Sequence, residues 1–293
     1  MTPPRLKQRS SAFSLFDWVF MSVRVFFFST FFIFSLPVTF QGGEAFDHSK
    51  WDHILKQCVH DDLVDYKALL QIRAELDDYL KQTETIPIET FSDFSREERI
   101  AFWINLYNAS VIRMVLDEYP VERFDQIPAA FEVKTIQVIG EFFNLSELRD
   151  QVLRKGFRDE RILIALVSAR RDSPKLLPEA FRGEILEKQL NQVAHEFVED
   201  EARNHIKPGE KKIFLSPLFR NFGSDFLLNF SSSDTSSHSS QIENAVVGFI
   251  LHHLTNADKR LFLDSGRYKI RYLPENPKLN QVETLSPVSK SER

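Results

Sequence analysis

The residues best placed by type and spacing to do chemistry lie in the stretch AFWINLYNA, Ala101 to Ala109, where Asn105 and Asn108 interrupt an otherwise apolar run. Three positions apart on a helix, the two amides share a face. A buried amide must find partners for two donors and an acceptor, or lose about 1–3 kcal/mol per unsatisfied group. Two readings follow: the amides brace the backbone of a neighbouring loop inside the core, or they line a polar cleft and meet a ligand. The histidines offer less. His48, His53 and His60 lack the i, i+4 spacing that puts two metal ligands on one helix face, and of the adjacent His252 and His253 at most one points inward. The sequence contains no HExxH, paired CxxC, carboxylate-rich calcium loop, GxSxG elbow or phosphate-binding glycine loop. The expectation is no metal and no cofactor.

The amides must be carried by a helix. Ser95 with Glu98 makes a capping box, Glu97 and Glu98 suit the positive end of the dipole, and Pro120 stops the chain. The helix therefore spans about 96 to 118, and its apolar residues cover most of its circumference, as in a central helix. Before it, SKWDHILKQCV reads as a short helix that buries Cys58 with Trp51, Ile54 and Leu55. DYKALLQIRAELDDYLKQ reads as one amphipathic helix, with Leu69, Ile72, Leu76, Tyr79 and Leu80 in step. After it, FEVKTIQVIGEFFNLS alternates with period two and predicts a hairpin turning at Gly140-Glu141. Ser146 opens a helix that Gly156 closes. RILIALVSA reads as a buried strand, a short helix being the alternative. GEILEKQLNQVAHEFVEDEARN and IENAVVGFILHHLT are helical, KKIFLSPLF and GRYKIRYLP are strands, and SSSDTSSHSSQ is a polar surface loop. No repeat or linker separates two cores. The reading is a single α+β domain, helix-rich with a small, mostly antiparallel sheet.

The chain has 293 residues, 43% of them apolar, enough for a core. A net charge of −5 without a Lys/Arg block excludes nucleic acid as a partner. The amino end carries Arg5, Lys7, Arg9 and Arg24, then an uncharged run from Val25 to Phe40, then small residues Gly43 and Ala45. These are the parts of a secretory signal, and the run is shorter than the roughly 20 apolar residues of a membrane-spanning helix. Residues 1–45 are thus expected to be a signal peptide cleaved after Ala45, or, uncleaved, a membrane anchor through residues 25–40. Residues 46–273 form the domain, and 274–293 a loose tail. The destination is the periplasm or the exterior. With Cys58 alone, no internal disulfide forms.

From about Phe46 to Asn280 the chain resembles the family catalogued as domain of unknown function 547. AFWINLYNASVIRMVL is similar to its most specific motif. FDHSKWDHILKQCVHDDLVDYKAL, RILIALVSARRDSPKL, PEAFRGEILEKQL, FLSPLFRNFGSDF and YKIRYLPENPKLN are similar, in order, to its other segments. The resemblance implies an exported bacterial protein and no established reaction. Asn105, Asn108, Arg161, Pro174 and Asp225 match the family pattern. Ser168 and Ser173 stand where cysteines are common, Leu163 where a histidine is common, and Arg149-Asp150 where glutamate and histidine are usual. The aromatic expected at Asn221 and the Asp-Trp pair expected near Glu275 to Pro277 are also missing.

A thiolate nucleophile is thereby lost, and a serine needs a base within hydrogen-bond reach. The expected function is an exported binding or structural domain of the cell envelope. Its cleft would be bordered by Asn105, Asn108, Arg161 and the Ser168–Ser173 loop, with Arg161 recognising an anion through its planar fork. Asp225 joins the binding set, with a structural Arg161–Asp225 ion pair as the alternative. The competing function is a hydrolase or transferase on an envelope substrate with Ser168 or Ser173 as nucleophile. The partner is an envelope ligand or protein, with membrane contact only through an uncleaved amino end.

Overall fold

A computed structural model describes residues 45–231 and 240–283. The expected leader, the polar loop after Ser231 and the end of the expected tail lie outside the described residues. Near the start of the described residues the Phe46 ring stands edge-on to Phe102 at 5.1 Å. Helix α1 (Ser49–Cys58) buries Trp51, Ile54, Leu55 and Cys58. A short hairpin follows, β1 (Val59–His60) with β2 (Leu63–Val64). The stretch read as one helix is two, α2 (Tyr66–Gln71) and α3 (Arg73–Glu84). Ile72 sits between them at φ −113°, ψ 20°, and its N–H closes a tight turn onto Leu69 O. The apolar periodicity runs through the break because both helices face the same core.

Helix α4 (Arg96–Glu118) has the expected bounds and the expected capping box: Ser95 Oγ accepts from Glu98 N, and Glu98 returns to Ser95 N at 2.7 Å. Every residue from 100 to 112 is buried, so the domain is built around this helix. Strands β3 (Ile136–Val138) and β4 (Glu141–Phe143) pair antiparallel. Their turn is Ile139-Gly140, one residue earlier than expected, with both residues left-handed (φ 52° and 77°) as a two-residue hairpin loop demands. Helix α5 covers 145–157. Asn144 caps it in place of Ser146, Leu148–Arg154 are wound as a π-helix, and Arg158 in the left-handed conformation ends it in place of Gly156.

The expected strand RILIALVSA is instead one helical turn, α6 (Ile162–Ala165), followed by extended chain. Helix α7 (Leu186–Glu199) buries Leu186, Leu190, Val193, Ala194, Phe197 and Val198 along one side. The loop before it crosses the first turn of α4 so closely that a Cβ on Gly183 would lie 2.9 Å from Glu98 N, which only glycine avoids. Strands β5 (His205–Lys207) and β6 (Lys212–Leu215) pair antiparallel, and β7 (Lys269–Tyr272) joins β6 in parallel. Helices α8 (Pro217–Phe222), α9 (Gln241–His253) and α10 (Ala257–Asp264) lie between β6 and β7 in sequence. The architecture is a single α+β domain, helix-rich, with sheets of two and three strands.

The tail expected to be loose is packed as far as it is described. Leu279 and Asn280 are buried. Leu279 N donates to Glu122 O, Asn280 N to Ala169 O, and Arg171 N to Lys278 O; Tyr66 Oη donates to Asn280 Oδ1 at 2.9 Å. Low apolar content misled the sequence reading, because this segment is held by its backbone. Among the described residues no helix is long and apolar enough to cross a membrane.

Candidate functional site

Both amides of α4 are spent on backbone. Asn105 Nδ2 donates to Phe181 O at 2.8 Å, and its Oδ1 accepts from Phe181 N at 2.9 Å. Asn108 Nδ2 donates to Ala165 O at 2.9 Å, and its Oδ1 accepts from Val167 N at 3.0 Å. Each side chain pairs with the loop as a peptide group would, and each is fully buried. The expectation that Asn105 and Asn108 border a cleft is corrected: both serve neighbouring backbone, and neither reaches a cavity surface. Asn108 also explains why α6 stops after one turn. It takes the Ala165 carbonyl and the Val167 amide that further helical turns would need.

One residue beyond that anchor, Ser168 enters a cleft of about 190 Å³. Arg149, Leu163, Ser168, Ser173, Asn221 and Glu275 all line it. These are six of the positions where the chain departs from the pattern it resembles, drawn together from positions more than 120 residues apart; Asp150, another, does not line the cleft. The Ser173 hydroxyl accepts from Ser168 N at 2.9 Å, and Ser173 is buried while Ser168 is half-buried. No histidine lines the cleft. Its carboxylates are engaged: Asp172 accepts twice from Arg170 at 2.9 Å, and Glu275 accepts from Arg170 at 3.1 Å and Arg220 at 2.7 Å.

The π-helical stretch places Arg149 in the wall. π-Bulges of this kind recur at functional sites. The Arg149 guanidinium lies 5.4 Å from the Phe131 ring centre and 5.2 Å from that of Phe222, within cation–π range of both. It is clamped by Asp150 through two bonds of 2.8 Å. Asp150 also accepts from Arg154 at 2.6 Å, and Arg154 grips Asp225 through two bonds of 2.7 Å. Burial works to raise the Asp150 pKa, but the hydrogen bonds from both arginines outweigh it and hold the carboxyl below its usual range. Burial pushes the neighbouring Tyr107 hydroxyl up to about 12, so it stays protonated.

Arg161 and Asp225 do not meet. Asp225 belongs to Arg154, and Arg161 is held by Asp159 (3.0 and 2.8 Å), Glu187 (2.6 and 3.0 Å) and Asn191 (2.8 Å). Arg161 therefore does not border the Ser168 cleft, and its fork has no free donor pair for a ligand there. The arginines that do border it, Arg149 and Arg170, were not singled out as binding residues. The only sequence signal toward Arg149 was its departure from the family pattern. Among the described residues no three of His, Cys, Asp and Glu are grouped to hold a metal ion.

No curated protein and no solved structure matches the chain. Residues 91–198 match the family model described as Protein of unknown function, DUF547. The match is shorter than the resemblance read over Phe46 to Asn280, but it contains α4 with both amides, Arg161, Ser168 and Ser173. Over this segment the chain is similar to the DUF547 family.

Proposed function

We propose that this chain is an exported binding domain of the cell envelope and not an enzyme, with the Ser168–Ser173 cleft as its ligand site. The observation that carries the reading is the bond from Ser168 N to Ser173 Oγ, in a cleft to which no histidine contributes. A serine nucleophile needs a base within hydrogen-bond reach. Here the buried hydroxyl is occupied by a backbone amide, and the nearby carboxylates are occupied by Arg170 and Arg220. What the cleft offers is a prearranged surface. Phe131, Leu166, Leu218 and Phe222 are its apolar walls, and Arg149 and Arg170 stand in fixed positions beside them. Groups already immobilised lose little freedom when a partner arrives. The volume is below the roughly 300–1,000 Å³ of sites that enclose a drug-sized molecule. It suits a small group, or a single side chain presented by an envelope partner. Export rests on the leader composition at residues 1–45.

The test is labelling of the protein with a fluorophosphonate probe, read by intact mass and peptide mapping. The expected result is no adduct at Ser168 or Ser173. An adduct at either serine that disappears in its alanine variant, with turnover of a chromogenic ester lost in parallel, would establish the hydrolase reading instead.

A further inference from the structure

A second cavity, of about 360 Å³, shares no lining residue with the Ser168 cleft. It lies where the start of α4, the segment 158–161, α7 and the end of α9 meet. Its lining is polar apart from Phe230.

His253 lines it and is only 9% exposed. The ring packs on Phe249 at 4.6 Å and across His252 at 4.8 Å, yet neither ring nitrogen has a hydrogen-bond partner among the described residues. Its backbone carbonyl, by contrast, takes the His195 ring nitrogen at 2.9 Å. The buried side-chain atoms without a partner among the described residues are Arg99 Nε and Trp103 Nε1; the His253 ring is instead open to the cavity that it lines, where a ligand can reach its nitrogens. The same cavity is faced by two cations outside any ion pair of the described residues, although the charge of Arg96 is felt by Glu187. Arg96 and Arg158 are exposed, and neither forms an ion pair with a carboxylate among the described residues; Arg96 makes one bond of 2.9 Å to Phe157 O. Arg161, also in the wall, is already neutralised by Asp159 and Glu187.

We propose that this cavity binds a phosphate group, held by the guanidinium groups of Arg96 and Arg158 and by the ring of His253. Two planar forks and an imidazole supply more donors than a carboxylate can use, and they match the several oxygens of a phosphate. The exposed His252 adds a further donor at the rim. Asp159 and Glu160 are the lining groups of opposing sign; Asp159 is paired with Arg161. Glu160 is buried and accepts from Asn229 Nδ2 at 2.7 Å. Burial pushes its pKa up, so it takes a proton more readily than a surface carboxylate.

The test is a titration of the full-length protein with inorganic phosphate and, separately, with glycerol phosphate. Binding is followed by calorimetry and by the imidazole NMR signals of His252 and His253. The expected result is binding of at least one of the two at about millimolar Kd or tighter, with the His253 signals shifted. The tighter of the two distinguishes a free phosphate site from a phosphomonoester site. Arg158→Asn, which tolerates the left-handed backbone, and Arg96→Gln should each weaken binding about tenfold, as loss of charge-assisted hydrogen bonds implies. Arg267→Gln, exposed and outside the cavity, should leave it unchanged. Unmoved His253 signals with both probes, or equal binding by the Arg96 and Arg158 variants and the parent, would overturn the assignment.

Discussion

Replacing Asn108 with alanine tests whether the amides of α4 are architecture. The substitution removes the partner of Ala165 O and of Val167 N, both inside the core. Each buried group left unsatisfied costs about 1–3 kcal/mol, so the pair costs about 2–6 and centres near 4 kcal/mol. The lost side-chain volume adds a penalty of the same sign. With a urea dependence of about 3 kcal/mol per molar, appropriate to a domain of this size, the unfolding midpoint should fall by about 1 M or more. Asn105→Ala should behave alike, since Phe181 N and O lose the same two bonds. Asn108→Asp separates the donor from the acceptor. It can still accept from Val167 N, but it sets a carboxylate against the Ala165 carbonyl. Burial raises the folded pKa of such a group above its unfolded value. Its contribution is therefore fullest at low pH and is lost as pH rises through the folded pKa. The aspartate variant should thus lie closest to the parent in acid and fall away toward neutrality. Urea unfolding followed by tryptophan fluorescence at pH 4.5 and pH 7 reads both effects. A midpoint for Asn108→Ala within about 0.3 M of the parent, equivalent to about 1 kcal/mol, would refute the bracing role.

Two further outcomes follow from buried titratable groups. His48 has its Nδ1 2.8 Å from Tyr79 Oη, and burial holds its pKa down at about 4. The folded pKa lies below the unfolded value of about 6.5, so the stability it contributes is full above that value and is lost as pH falls toward 4, on the order of 3 kcal/mol in all. Burial sets His253, likewise at about 4, in the same window. NMR titration should find the His48 ring neutral at pH 5.5, and a midpoint near 6.5 would contradict the assignment. Cys58 is buried on α1, and burial, followed by Asp65 and Glu75, pushes its thiol up to about 11. Ellman's reagent should leave the folded protein unmodified and react once in urea; prompt reaction of the folded protein would show an accessible thiolate.

What could be read from the sequence divides by the range of the interactions involved. The bounds of α4 were legible because its signals are local: Ser95, Glu98 and Pro120 are all within a turn of its ends. The alternation around Ile136–Val138 was legible for the same reason. The turn of α6 was not, because an Ile/Leu/Ala run of that length fits strand or helix equally. The choice is made by Asn108, nearly 60 residues upstream, which takes the Ala165 carbonyl and the Val167 amide. The packed segment 275–282 was missed because its hold is a series of backbone bonds to Val64, Glu122, Phe124, Ala169 and Arg171, which leave no apolar pattern. Residue type identified Arg161 and Asp225 as charged groups of interest. Their actual partners, Asp159 with Glu187 and Arg154, depend on how α5 and α7 lie and could not be read from spacing.

The same long-range bonds account for how the cleft lining can differ while the fold is kept. Asn108 fixes the chain at Ala165 and Val167, and Asn105 fixes it again at Phe181. Between these two anchors runs the segment that bears Ser168 and Ser173, closed on itself by the bond from Ser168 N to Ser173 Oγ. The anchors attach to backbone atoms and do not depend on which side chains the segment carries. Ser168 and Ser173 can therefore differ from the pattern that the chain resembles without disturbing the anchors on either side of them. Asn105, Asn108 and the glycine at 183 have no such freedom, since each is fixed by a backbone contact that no other side chain reproduces. On this account AFWINLYNA is scaffold, since both of its amides hold the backbone of neighbouring segments.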